Sequence, residues 1–252
     1  MSSSLRVAAR GALPGSRSRG TLARMARGNA VPRFSLRREV AIGLGAYALY
    51  LLVGRIVLGR DGRARARRNA ERVVAFEERL GVHVEVGVQR EVLRLRRVVH
   101  TLNVGYAVFN VGLTVGWLVH LYRRRDPEYH RLRRACVLAH VGAQPVFLAF
   151  PTEPPRALDG FVDTLSEVSG LDLEHPLLVR FFNPVAAMPS LHVAFAVVTG
   201  SAIAARTHSR AAKAAAYGYA PLVALVVTAT GNHYVLDSVA GAALGAAARR
   251  LS

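Results

Sequence analysis

Six stretches, at about 40–59, 99–122, 135–150, 188–205, 214–230 and 234–248, are long and apolar enough to seek a bilayer rather than a soluble core. A helix rises about 1.5 Å per residue, so roughly 20 residues cross the ~30 Å of hydrocarbon. The third run is short and holds Gln144-Pro145, which blurs its edges. Hydrophobic residues make up 52% of the 252, and the mean hydropathy is +0.24. The fold class expected is all-α: a polytopic membrane protein with a bundle of six transmembrane helices.

Lys and Arg number 34 against 16 Asp and Glu, a net charge of +18. Such a balance would suit a nucleic-acid binder, yet the charges lie in the connections between apolar runs, so anionic lipid headgroups are the expected counter-charge and nucleic acid is not. The connections 123–134 and 206–213 and the C-terminal Arg249-Arg250 are basic, which places them in the cytoplasm with both termini. The connection 151–185 is acidic, with Glu153, Asp159, Asp163, Glu167, Asp172 and Glu174 against Arg156 and Arg180, and belongs outside. The localisation expected is thus a multi-pass cell-membrane protein. Residues 1–38 contain no acid and no sustained apolar period, and read as a disordered basic tail. Arg37-Arg38 precede the first run, but more apolar sequence follows Ala46-Tyr47-Ala48, so an uncleaved anchor is expected.

Residues 60–98 would lie outside in this scheme although rich in Arg. Val88, Val92, Leu95, Val99 and Leu102 fall at helical spacing, as do Val73, Phe76 and Leu80. Amphipathic helices lying on the membrane surface are expected there, between the first and second spans. If 40–59 re-enters instead of crossing, the tail and this segment share one side.

"AMPSLH" (187–192) opens the fourth run and "GNHYVLD" (231–237) the sixth, both on the side of the acidic connection. Ionisable side chains in a span are costly and tend to face a cavity with a partner. His233 and Asp237 are four apart, on one face of a helix, so the carboxylate takes the proton of one ring nitrogen and leaves the other free as nucleophile or base. His192 has no such carboxylate and is free to act as an acid. "FPTEPPR" (150–156) ends the third run, its prolines fixing an extended turn that holds Arg156, a fork suited to phosphate, near the surface. Backbone N–H groups at the start of the fourth run, with Ser190 beside them, add an anion site. Together these describe phosphoryl transfer.

"AMPSLH" followed by "GNHYVLD" resembles the second and third motifs of the type 2 phosphatidic acid phosphatase superfamily, in its inositol phosphorylceramide synthase and sphingomyelin synthase-like branch, over roughly residues 99–248. The resemblance implies a six-helix membrane core, His233 as a nucleophile forming phosphohistidine, Asp237 orienting it, His192 protonating the leaving alkoxide, and Ser190 and Arg156 holding phosphate oxygens. Leu191 stands where the phosphatase branch has Gly, Val227 where it has an Arg, and the Lys and Arg of its first motif are missing. Fewer cations suit a less charged phosphodiester and transfer to an alcohol.

The expected substrate is a phospholipid or prenyl phosphate, with water or an alcohol as acceptor and no metal or organic cofactor. His192, His233 and Asp237 need no ion to explain them. The histidines at 83, 100, 120, 130, 140, 175 and 208 show no paired spacing and read as surface or packing residues. Cys136 is alone, so neither a disulfide nor a cysteine cluster is available. Gly241 and Gly245 form a G-x-x-x-G, read as close helix packing, with a homodimer contact as its other use. The other function class left open is a non-catalytic lipid-binding protein that retains the fold; no inverted repeat points to a transporter.

Overall fold

The structure, a computed structural model, describes residues 34–59, 61–173, 175 and 177–252. The expected basic tail falls largely outside these residues, but its last part does not: Leu36–Arg38 are already helical. Every apolar run becomes a helix. α1 is Leu36–Val57. The second run is one continuous helical stretch built from α4 (Arg96–Val104), a π-helical turn (Gly105–Phe109) and α5 (Asn110–Arg123). α6 (Glu128–Ala149) runs through Pro145 without ending. α8 (Leu191–Arg206), α9 (Arg210–Ala229) and α10 (Val235–Arg250) complete the bundle. The connections carry α2 (Gly62–Leu80), α3 (Glu85–Leu93) and the short α7 (Thr164–Ser169). No strand occurs among the described residues; Thr152 and Ala186 form an isolated parallel bridge.

α8 is the central post, packed against α5, α6, α9 and α10. Its face toward α10 depends on the G-x-x-x-G: a Cβ on Gly241 would sit 2.3 Å from the Ser190 carbonyl oxygen, and one on Gly245 2.6 Å from that of Ala194. The small residues are therefore spent on packing inside the chain, which lets the first turns of α8 and α10 nearly touch. Apolar clusters fill the remaining seams: Val53, Val57 and Phe147 with Val185 between α1 and α6, and Val193, Val223 and Val227 between α8 and α9.

The basic connections collect at one end of the bundle, where Arg249 pairs with Glu128 and Arg206 with Asp126. The other end holds the 150–190 connection, and α2 and α3 pack onto it. Asn69 donates to the Pro151 carbonyl (2.8 Å), Arg67 pairs with Asp159 (2.8 Å), and Gln89 exchanges two 3.0 Å hydrogen bonds with the Val162 backbone. The expected stripes divide accordingly: Val73 and Val99 are buried against the protein, while Phe76, Leu80 and Leu95 are exposed.

α1 and α9 are each long and apolar enough alone to cross a membrane, and α8 is apolar but shorter. Among the described residues, the expectation of six spanning helices meets this test only in these two, and α6 and α10 fall short for a physical reason. Arg131, Arg133 and Arg134 occupy the first turns of α6, and α10 is 16 residues long and mostly Ala and Gly where it faces α8.

Candidate active site

Four chain segments meet at the acidic end. The residues 230–234 link α9 to α10, and Gly231 turns there with φ +70°, a left-handed conformation where a Cβ would also meet Gln89 Nε2 at 2.6 Å. The turn lets the Val227 carbonyl accept from the N–H groups of both Asn232 (2.9 Å) and His233 (3.1 Å), fixing where His233 leaves the backbone. Its ring is nearly enclosed, with 6% of the side chain exposed.

The two ring nitrogens of His233 face different partners. Nδ1 lies 3.3 Å from Asp237 Oδ2, one helical turn on. Nε2 lies 3.4 Å from His192 Nδ1. A carboxylate accepts only, so Nδ1 carries the proton and Nε2 presents its lone pair toward His192. Asp237 is fully buried, and the same Oδ2 accepts the Tyr234 N–H at 3.0 Å. Two donors on one oxygen hold the carboxylate, and through it the imidazole, in place.

His192 stands in the first turn of α8, capped by Ser190, whose Oγ accepts the Val193 N–H at 3.3 Å. Ser190 is wholly buried, its N–H bonded to the Asp237 carbonyl at 3.0 Å. It thus ties the two helix starts together, and its side chain is not among those lining the cavity beside the histidines. Tyr106, carried by the π-helical turn, lays its ring on His192 with centroids 4.5 Å apart.

Arg156 arrives from the proline turn. Its N–H donates to the Gly231 carbonyl at 2.8 Å, Nη1 donates to Asn232 Oδ1, and Nε lies 3.7 Å from Asp163 Oδ2. The guanidinium, 6% exposed, is held beside both histidines. The structure therefore brings His192, His233, Asp237 and Arg156 together, with Ser190 one layer behind.

These groups form the polar end of a cavity of about 550 Å³ whose other walls are apolar, among them Tyr50, Phe147, Phe181 and Phe195. α1 shapes its rim: Tyr47 Oη donates to the Phe181 carbonyl at 2.6 Å, and Tyr50 Oη accepts the Asn183 N–H at 2.8 Å. His140, expected only to pack, lines this wall and contacts the Ala46 carbonyl at 3.0 Å.

Glu77 and Glu85 were not legible as site residues. Both are fully buried, and Glu85 Oε1 accepts the Val235 N–H and Glu77 Oε1 the Leu236 N–H, each at 2.7 Å. With Asp237 on Tyr234, three carboxylates hold the first N–H groups of α10. Burial, then the neighbouring Glu85, pushes the Glu77 carboxyl up to about 8. Asn232 and Tyr106 were missed as well, although Asn232 lies inside the motif that located His233.

The sequence profile of the PAP2 superfamily matches residues 71–251, a span from the middle of α2 to the end of α10 that contains His192, His233, Asp237, Arg156 and Ser190 but not the α1 residues of the rim. The chain belongs to the PAP2 superfamily. No curated protein and no solved structure matches it. Membership in the PAP2 superfamily gives the site phosphatase or phosphotransferase chemistry on phosphate-bearing substrates, and with the two membrane-length helices it associates the chain with membranes.

Proposed function

We propose that this PAP2 protein is a membrane-embedded lipid phosphoesterase or phospho-headgroup transferase that works through a phosphohistidine at His233. The observation that carries the reading is the 3.4 Å approach of His192 Nδ1 to His233 Nε2, with Asp237 on the far nitrogen of His233. In the first step His233 Nε2 forms a bond to phosphorus as the ester P–O bond breaks, and His192 gives its proton to the leaving alkoxide. Asp237 stabilises the resulting imidazolium, and Arg156 holds the equatorial oxygens. In the second step His192 takes a proton from water or an alcohol, whose oxygen bonds to phosphorus as the P–N bond breaks.

Arg156 is the only Lys or Arg among the described residues lining the cavity. One guanidinium matches the single charge of a phosphodiester better than a phosphomonoester dianion, which supports the synthase-like branch and an alcohol acceptor. The apolar walls suit the acyl or prenyl part of the substrate. All six runs cross the bilayer in this reading, with basic connections and termini in the cytoplasm, the site outside, and α2 and α3 at the outer interface. The test is purified protein with labelled phospholipids and prenyl phosphates, with and without alcohols. Transfer of the labelled headgroup to alcohol is expected; release of inorganic phosphate alone would leave a phosphatase, and binding without turnover a lipid-binding protein.

A further inference from the structure

The two glutamates that hold the start of α10 use one oxygen each. Their Oε1 atoms accept the N–H groups of Val235 and Leu236, whereas both Oε2 atoms are buried without a hydrogen-bond partner. Both turn toward His83, in the link between α2 and α3. Its Nδ1 lies 3.0 Å from Glu85 Oε2 and 3.6 Å from Glu77 Oε2, and it too is buried without a hydrogen-bond partner. The ring is held edge-on against Phe161, centroids 6.4 Å apart. Three ligand atoms, two oxygen and one nitrogen, thus converge within 4.8 Å of one another.

We propose that Glu77, His83 and Glu85 bind one divalent transition-metal ion of the Zn²⁺ class, and that this ion fixes the first turn of α10 and so the place of His233 and Asp237. Bonds of about 2.0–2.1 Å give ligand-to-ligand edges of about 3.0 Å in an octahedral shell and about 3.4 Å in a tetrahedral one; the 3.0 Å edge to Glu85 matches the first, and the 3.6 Å edge to Glu77 is slightly longer than the second. An imidazole with two carboxylates selects an ion of intermediate softness over Mg²⁺ or Ca²⁺. Two fully buried carboxylates side by side need a shared proton or a positive charge between them, and the backbone N–H bonds on their other oxygens are the outer-shell contacts that orient metal-bound carboxylates. The ion lies behind the catalytic pair and takes no part in bond making, so Glu77, His83 and Glu85 are positioning residues. The inference stands apart from the phosphohistidine reading, because its readout is metal content.

The experiment uses the full, untagged chain in detergent, stripped with chelator, incubated with Zn²⁺ and passed through a desalting column. About one Zn²⁺ per chain is expected to remain, falling below roughly one-fifth in His83→Ala and in Glu85→Gln. Zn²⁺ should raise the melting temperature of the stripped wild-type chain by on the order of 5 °C and leave both variants unmoved. Where a variant does not fold, X-ray absorption on the zinc-loaded wild-type chain replaces it. One nitrogen with oxygens at about 2.0–2.1 Å is the expected shell. A wild-type chain that retains no zinc, variants that retain as much as wild type, or a shell with two imidazoles would each overturn the assignment.

Discussion

At His233 the proposed role as nucleophile rests on the division between the ring nitrogens, one facing Asp237 and the other His192. Replacing it with Ala should abolish turnover while leaving the fold, since the Val227 carbonyl bond is to its backbone. His192→Ala should cost about 10²–10⁴-fold in turnover, the range for a positioned general acid, and least for substrates with good leaving groups. Arg156 allows a finer test, because Lys keeps the charge but loses the fork that reaches Asn232. Arg156→Lys should fall by at least about tenfold, and Arg156→Ala by about 10²-fold or more, both read as turnover of labelled lipid. Gly231→Ala meets both an unfavourable φ and the Gln89 amide, so a loss of about 1–3 kcal/mol is expected in detergent unfolding.

Among the elements, the α8–α10 contact matters most, because it sets the distance between the two histidines. Gly245→Val would drive a side chain into the Ala194 carbonyl and push the helices apart. About 1–3 kcal/mol of stability should be lost, and activity should fall further than that loss implies, measured as turnover against folded fraction. This is also where the sequence was most and least informative. The periodic runs located the bundle helices, and the spacing of four located the His233–Asp237 contact, because both are local patterns. The roles of Glu77 and Glu85 were not legible: their partners are Leu236 and Val235, some 150 residues away, and a carboxylate among arginines reads as a solvated face. Ser190, expected from its place beside His192 to hold phosphate, turns its hydroxyl to cap α8, a direction the sequence did not show.

For the whole molecule, one end gathers charge pairs between basic connections and the other gathers the site, with α2 and α3 folded over it. That polarity was readable from the acidic 151–185 connection, although the cover that α2 and α3 provide was not, since amphipathic stripes do not say whether lipid or protein will bury them. The proposed orientation has a direct consequence. In a Cys136→Ala background, Asp159→Cys, at a side chain 98% exposed on the site end, should react with an impermeant thiol reagent in intact cells. Lys213→Cys, exposed near the start of α9, should react only after permeabilisation. Labelling in the reverse order would invert the protein in the membrane.

The central claim is that phosphorus is passed through one imidazole, and rapid quench with phosphorus-labelled lipid under alkaline conditions, followed by peptide mapping, tests it most directly. The account predicts acid-labile label on the peptide holding His233, formed at least as fast as product and absent in His233→Ala. Product formed with no label on the chain, or at an undiminished rate in His233→Ala, would contradict it.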